Sequence, residues 1–233
     1  EPSRLREQDT DPIHVDWEIK CAVELQSRIR KLGGEMLILH DEVINAFENL
    51  KAKYEISNVY SHEEIGTEWS YQRDIKFGKW CKTNNLNWKE FPTNAVVRRL
   101  DNRDNWYKLR TERLGQNIIP APTKLKFDNE LKMDSISSVS EIGLIPRELR
   151  DEYKPGEFEA KKNLDTFLNE RGMNYRYEMS SPITGENSCS RLSHYISVGC
   201  ITIKQITKIA NKRVAYLKTL EKTDSRKKWI ASI

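Results

Sequence analysis

The sequence predicts an α/β domain with a parallel sheet, followed by an all-α domain. In the first half of the chain, helical apolar periodicity alternates with short β-rich runs, whereas the second half shows helical periodicity alone. A stretch containing several Pro and Ser residues, with little periodicity, separates the two halves. A chain of 233 residues is long enough for two domains. We therefore expect an α/β domain over residues 1–115, a connector over 116–155 and a helical domain over 156–233.

The first elements follow the order helix, strand, helix, strand. Apolar residues recur at helical spacing within 13–32 and a Gly-Gly pair follows as a stop signal, so this range predicts a helix. The short apolar run "MLILH" (36–40) predicts a strand, "DEVINAFENLKAKY" (41–54) a helix, and "ISNVYS" (56–61) a second strand. Strands separated by a helix indicate a parallel α/β layer.

Three further elements complete the predicted α/β domain. Residues 67–83 predict a helix, "NLNWKEFPT" (85–93) predicts a third strand, and 103–115 predict a last helix that Gly115 closes. The chain opens on "EPS", directly before a loop and a helix. We therefore expect the first strand or strands of the sheet to lie upstream of Glu1, which would leave a sheet edge exposed.

Two helical faces define the predicted second domain. The first belongs to "EFEAKKNLDTFLNERG" and consists of Ala160, Leu164, Phe167 and Leu168. The second consists of Ile203, Ile206, Ala210, Val214 and Leu217.

Composition narrows the class of protein before any motif is considered. Charged residues make up 32% of the chain and no apolar run is long enough to cross a bilayer, which excludes a membrane span. A net charge of +4 permits nucleic acid as a partner without requiring it. The four cysteines are scattered, without a C-x-x-C pair or a histidine at ligand spacing, so neither a zinc site nor a disulfide framework is indicated. We expect a monomer in the reducing cytoplasm. Because the first residue, Glu1, is not Met, we also expect a fragment of a longer protein.

Hydroxyl side chains are crowded into residues 186–200, "ENSCSRLSHYISVGC". Ser190 stands where a loop gives way to an apolar helical pattern, so it is predicted at the first turn of a helix. One interpretation is a plain helix cap, since Ser commonly caps the first exposed N–H groups. The other is a phosphate site, because a helix N-terminus lined by Ser190, Arg191 and Ser193 offers N–H donors and a favourable field to a pyrophosphate.

Three blocks of the sequence carry a resemblance to a known family. The segment "YRYEMSSPITGENSCSRLSHYISVGCITIKQI" resembles the one that opens the FAD-binding domain of the DNA photolyase/cryptochrome family. There a Tyr, a loop containing Pro and a Thr/Cys-Ser-Arg-Leu-Ser turn precede a helix that ends near an aromatic-Gly pair. The preceding "PGEFEAKKNLDTFLNERGMNY" is similar to the family's Gly-Glu-x-x-Ala helix, and "HEEIGTEWSYQRDIKFGKWCKTNNLNWKEFPTNAVVRRLDNRDNW" is similar to the later part of its amino-terminal domain. The order of the blocks agrees, and "SCSRLS" is typical of the bacterial branch.

The resemblance implies an incomplete α/β Rossmann-like antenna domain followed by the beginning of an all-α FAD-binding domain. It implies a deoxyribodipyrimidine photolyase, a carbon–carbon lyase that uses blue light and reduced FAD to split cyclobutane pyrimidine dimers in DNA. The alternative is a cryptochrome, a blue-light receptor that signals through a protein partner. Both classes share every motif present, so the sequence leaves them open.

The resemblance also assigns site residues, position by position. Tyr175 matches the Tyr that lies along the FAD. The turn that receives the FAD phosphates is matched by Cys189, Ser190, Arg191, Leu192 and Ser193. The family's catalytic residues would lie beyond Ile233.

Several positions depart from the family pattern. His194 replaces the usual Pro, Val198 replaces an aromatic residue, and residues 179–181 (Met-Ser-Ser) replace an Arg-Asp pair before the loop Pro. His194 suits either side-chain packing or an extra donor to phosphate, and packing is the preferred interpretation.

A second candidate site lies in the predicted α/β domain. His62 and Glu63 follow the second predicted strand, at the carboxyl edge where α/β sheets bind ligands. They suit a folate or deazaflavin antenna chromophore, or, as the preferred alternative, a cap for the next helix. The arginines of "RRLDNRDNW" suit either contact with DNA or an interdomain seam; they are Arg98, Arg99 and Arg103.

Overall fold

The computed structural model describes residues 1–93, 95–127, 135–150 and 153–233. The chain forms two compact units. The first unit comprises residues 1–113 and 122–149, and the second comprises 114–121 and 150–233. The segment 116–155, expected as a connector, thus divides between the two units.

The first unit contains a parallel pair of strands and most of the long helices. The helices are α1 (Pro12–Lys31), α2 (Val43–Lys51), α3 (Glu68–Thr83) and α4 (Trp106–Gly115), of which the last runs into the second unit. The strands are β1 (Asn58–His62) and β2 (Asn87–Phe91), paired in parallel with Asn58 opposite Asn87 and His62 opposite Phe91. Short 3₁₀ turns occupy Arg4–Arg6 and Val139–Ile142. The predicted helices and two of the three predicted strands are confirmed.

The predicted strand at 36–40 is absent from the sheet, so the described part of the sheet has two strands and not three. Residues 36–40 have no assigned secondary structure, and no strand of the described ranges pairs with them. Its polar groups bond elsewhere, since Ile136 N donates to Ile38 O (2.9 Å) and Ile38 N donates to Ser135 Oγ (3.0 Å). An apolar run becomes a strand only where a ladder partner lies beside it, and sequence periodicity does not report that partner.

Helix α1 begins and ends where its sequence predicts. The Asp11 carboxylate accepts a hydrogen bond from Ile13 N (2.8 Å), and Pro12 occupies the first helical position, where its missing N–H costs nothing. The last turn is basic, which complements the negative end of the helix.

Aromatic packing joins α2 and α3 to the sheet. Phe77 and Cys81 of α3 are buried, and Phe77 packs edge-on against Trp88 of β2 with ring centroids 5.1 Å apart. Phe47 of α2 closes the cluster at 4.9 Å from Phe77. Trp88 also donates from its indole N–H to Ser61 Oγ (3.0 Å), which satisfies its polar atom. This core packs α3 against β2, and the bond from Trp88 to Ser61 joins β2 to β1.

The second unit is helical. Helix α5 (Glu157–Thr166) continues through a π-helical turn (Phe167–Arg171) and a 3₁₀ turn (Gly172–Asn174). There follow α6 (Tyr175–Glu178), α7 (Gly185–Ser188), α8 (Ser193–Ser197), α9 (Ile203–Thr219) and a final 3₁₀ helix (Ser225–Ala231). The first predicted helical face is buried as expected, with Ala160, Leu164, Phe167 and Leu168 all in the core.

Helix α9 begins with a reciprocal cap. Thr202 Oγ1 accepts from Gln205 N (3.2 Å), and Gln205 Oε1 accepts from Thr202 N (2.8 Å). On its predicted apolar face only Leu217 is fully buried, while the other members are half-buried.

Candidate functional site

Residues 189–193, here termed the hydroxyl turn, connect two short helices of the second unit. Helix α7 ends directly before Cys189, which is extended (φ −72°, ψ 157°), and α8 begins at Ser193. Between them Arg191 is left-handed (φ 55°) and Leu192 is right-handed (φ −104°, ψ −12°). Adjacent residues of opposite hand make successive N–H groups converge, and such a nest binds anions.

The hydroxyl turn presents four consecutive backbone donors. Within the described ranges, no atom accepts a hydrogen bond from the N–H groups of residues 190–193. The preceding N–H, that of Cys189, is used to close α7. Because backbone N–H groups are obligatory donors, these four remain available for water or for an anion.

Arg171 holds the opposite side of the hydroxyl turn. Its guanidinium donates to Cys189 O, to Ser190 O (2.9 Å) and to Asn163 O (3.0 Å), and its Nε donates to Thr166 Oγ1 (3.1 Å). A trans peptide directs its C=O and the following N–H in opposite directions. The N–H groups that follow these two turn carbonyls therefore point away from Arg171.

Charge and burial both act on Arg171. Burial lowers the pKa of its guanidinium, and the nearby positive charge of Arg191 lowers that pKa further. Sequence reasoning missed Arg171, because its contacts join residues 18 and 19 positions apart and belong to no motif.

Tyr175 and the hydroxyl turn are linked through a shared neighbour. The Tyr175 ring packs edge-on against Phe167, with centroids 5.6 Å apart at 84°. The Arg171 guanidinium lies 6.0 Å from the centroid of the same Phe167 ring. Phe167 is buried, so it supports both features from the core of the unit.

The prediction that Ser190 stands at the first turn of a helix was wrong. Helix α8 begins three residues later at Ser193 and has only five residues, with Leu192 as its N-cap and no side-chain cap bond. The left-handed conformation of Arg191 interrupts the right-handed helix. The turn therefore offers a nest of N–H groups in place of the end of a long helix.

The Arg191 side chain stabilises the turn. Its Nε donates to Glu186 O (2.7 Å) and its Nη2 donates to Asn187 Oδ1 (3.4 Å). A positive φ is costly for a residue with a Cβ, and these two bonds offset part of that cost.

His194 packs between aromatic rings. Its ring centroid lies 5.0 Å from that of Tyr153 and 4.2 Å from that of Tyr195, which is fully buried. Burial lowers the pKa of His194 and so favours its neutral form. This environment supports the packing interpretation.

The second candidate site lies at the carboxyl edge of the sheet in the first unit. Glu63 N donates to Phe91 O (2.8 Å), which extends the strand pairing by one residue. The Oε2 atom of Glu63 is buried without a hydrogen-bond partner, and so is Thr93 Oγ1, just beyond β2. His62 is exposed. The sheet edge thus holds two buried polar atoms that no group among the described residues satisfies.

The alternative role of His62 and Glu63, as a helix cap, was wrong. The N-cap of α3 is Thr67. Glu63 instead lies with its Oε1 3.8 Å from Arg98 Nε, and Arg98 also donates to Glu90 (2.8 Å). Its contacts with Glu63 and Glu90 therefore hold the Arg98 side chain at the sheet edge.

Comparison with known proteins relates the amino-terminal part of the chain to a known family. Residues 1–108 match the sequence profile described as DNA photolyase. Solved structures similar to the chain are photolyases and a cryptochrome. Residues 1–108 of the chain therefore belong to the DNA photolyase family.

Three photolyase and cryptochrome structures show the same fold. A bacterial class III photolyase from Agrobacterium tumefaciens has a TM-score of 0.67 and 18% identity, over 97% of this chain and 50% of that one. The Synechocystis sp. PCC6803 cryptochrome has a TM-score of 0.70 and 16% identity, over 95% and 48% of the chains. An archaeal photolyase from Sulfolobus tokodaii, solved with two FAD molecules, has a TM-score of 0.57 and 18% identity, over 97% and 49%. The chain spans about half the length of these photolyase-family structures. No curated protein sequence matches it significantly.

Two further findings concern the described part of the chain. No helix there is both long and apolar enough to cross a membrane. No group of three or more His, Cys, Asp or Glu side chains within the same ranges is arranged to hold a metal ion.

Proposed function

We propose that the chain is part of a flavin-dependent photolyase that repairs cyclobutane pyrimidine dimers in DNA under blue light. The observation that carries this proposal is the hydroxyl turn, whose four N–H groups at residues 190–193 lack an acceptor among the described residues. In a family of flavoproteins, this arrangement suits the phosphates of FAD. Reduced FAD, when bound, supplies the electron for dimer splitting, and the protein contributes binding and orientation.

The described residues would hold the phosphate end of the flavin. The nest at residues 190–193 would donate to phosphate oxygens, and the hydroxyls of Ser190 and Ser193 would add two further donors. Tyr175, fixed by its edge-on contact with Phe167, would lie along the cofactor. The catalytic residues are expected beyond Ile233, so this chain would bind and orient the cofactor.

Substitution of Ser190 tests the phosphate role. In the intact protein that carries this chain, Ser190→Ala should weaken FAD retention by about 1 kcal/mol, the scale of one hydrogen bond. Ser190→Asp should weaken retention considerably more, because it sets a carboxylate against phosphate. The measurement is the flavin-to-protein ratio after gel filtration, together with the melting temperature.

Ser180→Asp is the matched control, since Ser180 is an exposed serine outside the hydroxyl turn. It adds the same charge and should leave flavin loading unchanged. Normal flavin loading in Ser190→Asp would contradict the phosphate assignment.

A cryptochrome photoreceptor is the second candidate, and the similarity to the Synechocystis cryptochrome supports it. A photolyase would restore dimer-containing DNA only under blue light and with reduced flavin. A receptor would show flavin photoreduction without repair and would bind a protein partner. Repair of the same DNA in the dark would contradict both candidates.

We propose the sheet edge at His62 and Glu63 as the site of an antenna chromophore, a folate or a deazaflavin. The buried Oε2 atom of Glu63 needs a donor, and both chromophore classes carry ring N–H groups. Glu63→Gln in the intact protein should reduce the absorbance of the antenna without loss of FAD. Glu55→Gln, on an exposed loop of the same unit, should change neither. Unchanged antenna content in Glu63→Gln would contradict the assignment.

A further inference from the structure

Arg171 is a half-buried cation whose hydrogen-bond partners among the described residues are all neutral groups. Its donors reach the backbone carbonyls of Cys189, Ser190 (2.9 Å) and Asn163 (3.0 Å) and the hydroxyl of Thr166 (3.1 Å). None of the salt bridges formed among the described residues includes Arg171. Keeping a partly buried cation without a carboxylate partner is costly.

The second cation at the turn adds to this cost. The positive charge of Arg191 acts unfavourably on Arg171, in addition to burial. Two like charges thus lie beside a row of N–H groups that have no acceptor in the described ranges, although Glu170 acts favourably on Arg171. An anion bound at the turn would relieve both the repulsion and the unsatisfied donors.

Two peptide units connect Arg171 to the N–H row. The guanidinium binds the carbonyls of Cys189 and Ser190, and these peptides present the N–H groups of Ser190 and Arg191 on their far side. A hydrogen bond to a carbonyl polarises its peptide and strengthens the N–H as a donor. The guanidinium thereby fixes the direction of these donors and increases their strength without touching the anion.

We propose that Arg171 is a positioning residue for a phosphate or pyrophosphate group bound at residues 190–193. This inference rests on the proposed flavin-phosphate function of the hydroxyl turn. Lysine would not replace Arg171, because a single ammonium cannot reproduce the planar fork that bridges two successive carbonyls.

Pyrophosphate titration of the isotope-labelled chain, followed by backbone ¹H–¹⁵N NMR, tests the proposal. In the wild-type chain, inorganic pyrophosphate should shift the amide signals of residues 190–193 and leave those of α9 unchanged. Arg171→Lys should weaken pyrophosphate binding by roughly tenfold, equivalent to about 1.4 kcal/mol.

Arg213→Lys is the matched control, because Arg213 is a half-buried arginine of the same unit that donates to a backbone carbonyl, Leu168 O (3.1 Å), away from the turn. It should lower the melting temperature as Arg171→Lys does, yet keep the wild-type affinity for pyrophosphate. If the role of Arg171 were purely structural, Arg171→Lys would lower the melting temperature and leave the affinity for pyrophosphate unchanged.

Thr166→Val supplies a milder variant in case Arg171→Lys does not fold. It removes the acceptor of the Arg171 Nε, together with the hydrogen bond that the Thr166 hydroxyl donates to Asn163 O (3.1 Å), and should weaken binding in the same direction by a smaller factor. Wild-type affinity in both Arg171→Lys and Thr166→Val would overturn the positioning role alone. If pyrophosphate does not shift the amide signals of residues 190–193 in the wild-type chain, the phosphate assignment is contradicted, and the positioning role of Arg171 is contradicted with it.

Discussion

Unsatisfied polar atoms mark both candidate sites at the scale of single residues. A buried polar group without a partner costs about 1–3 kcal/mol, so most are satisfied within the protein. In the part of the chain that the structure describes, Glu63 Oε2 and Thr93 Oγ1 lack partners at the sheet edge, and the N–H groups of residues 190–193 lack them at the hydroxyl turn. Each group requires a donor or an acceptor of complementary chemistry, which water or a bound ligand can supply.

His194 predicts a pH dependence of stability. Burial between Tyr153 and Tyr195 holds its pKa below the ordinary value of 6.5. The unfolded chain therefore binds this proton more readily than the folded chain does. The stability that His194 contributes is complete above about pH 6.5 and is lost as the pH falls through the window down to the folded pKa.

The measurement is the melting temperature between about pH 7.5 and about pH 5. His194→Gln should flatten part of the fall at low pH, whereas His40→Gln, at an exposed position, should leave the profile unchanged. An identical slope in wild type and His194→Gln would refute this assignment.

The residues of the hydroxyl turn could be predicted from the sequence, but their geometry could not. The "SCSRLS" motif locates the turn, since its residues are adjacent in the chain. The left-handed φ of Arg191 and the contacts from Arg171 depend on tertiary structure, and neither residue type signals them. The sequence pattern therefore locates the motif along the chain, whereas the direction of its N–H donors is determined by the tertiary structure.

At the scale of elements, periodicity succeeds where an element satisfies its own hydrogen bonds. Helices α1 and α3 lie within one residue of their predicted bounds, because a helix bonds internally and caps locally. The run at 36–40 has the composition of a strand but no ladder partner in the described residues. Strand formation depends on a neighbour that a single segment does not encode.

Because α3 packs closely on β2, a methyl group added at Gly78 is expected to lower the stability of the fold. A Cβ added at Gly78 would lie 2.9 Å from Trp88 Cζ3, so the ring would have to move and strain its bond to Ser61. Overpacking costs about 1–3 kcal/mol, which outweighs the gain of about 1 kcal/mol in helix propensity. Gly78→Ala should lower the melting temperature and weaken the near-ultraviolet tryptophan dichroism.

Gly115→Ala is the control for this prediction. A Cβ at Gly115, the last residue of α4, meets nothing within 4 Å. It should leave stability unchanged or raise it slightly. If Gly78→Ala is as stable as Gly115→Ala, then α3 and β2 pack more loosely than described.

At the scale of the whole molecule, two units carry two separate kinds of site. The sheet edge with Glu63 belongs to the first unit, and the hydroxyl turn with Arg171 belongs to the second. The sequence predicts both halves because their periodicities differ. The photolyase-family structures similar to the chain are about twice as long, so the activity of a whole photolyase is proposed for the intact protein.

The purified chain of residues 1–233 should therefore be colourless. Cofactor sites bury most of the surface of their ligand, whereas the hydroxyl turn and Tyr175 account for one end of FAD. Its phosphates would find the donors of residues 190–193, but the described contacts offer nothing comparable for the flavin ring. Equilibrium dialysis against FAD should give weak binding that inorganic pyrophosphate competes away, and Ser190→Asp should remove even this. A stoichiometric flavin spectrum that survives gel filtration of this chain would show that these residues enclose the whole cofactor.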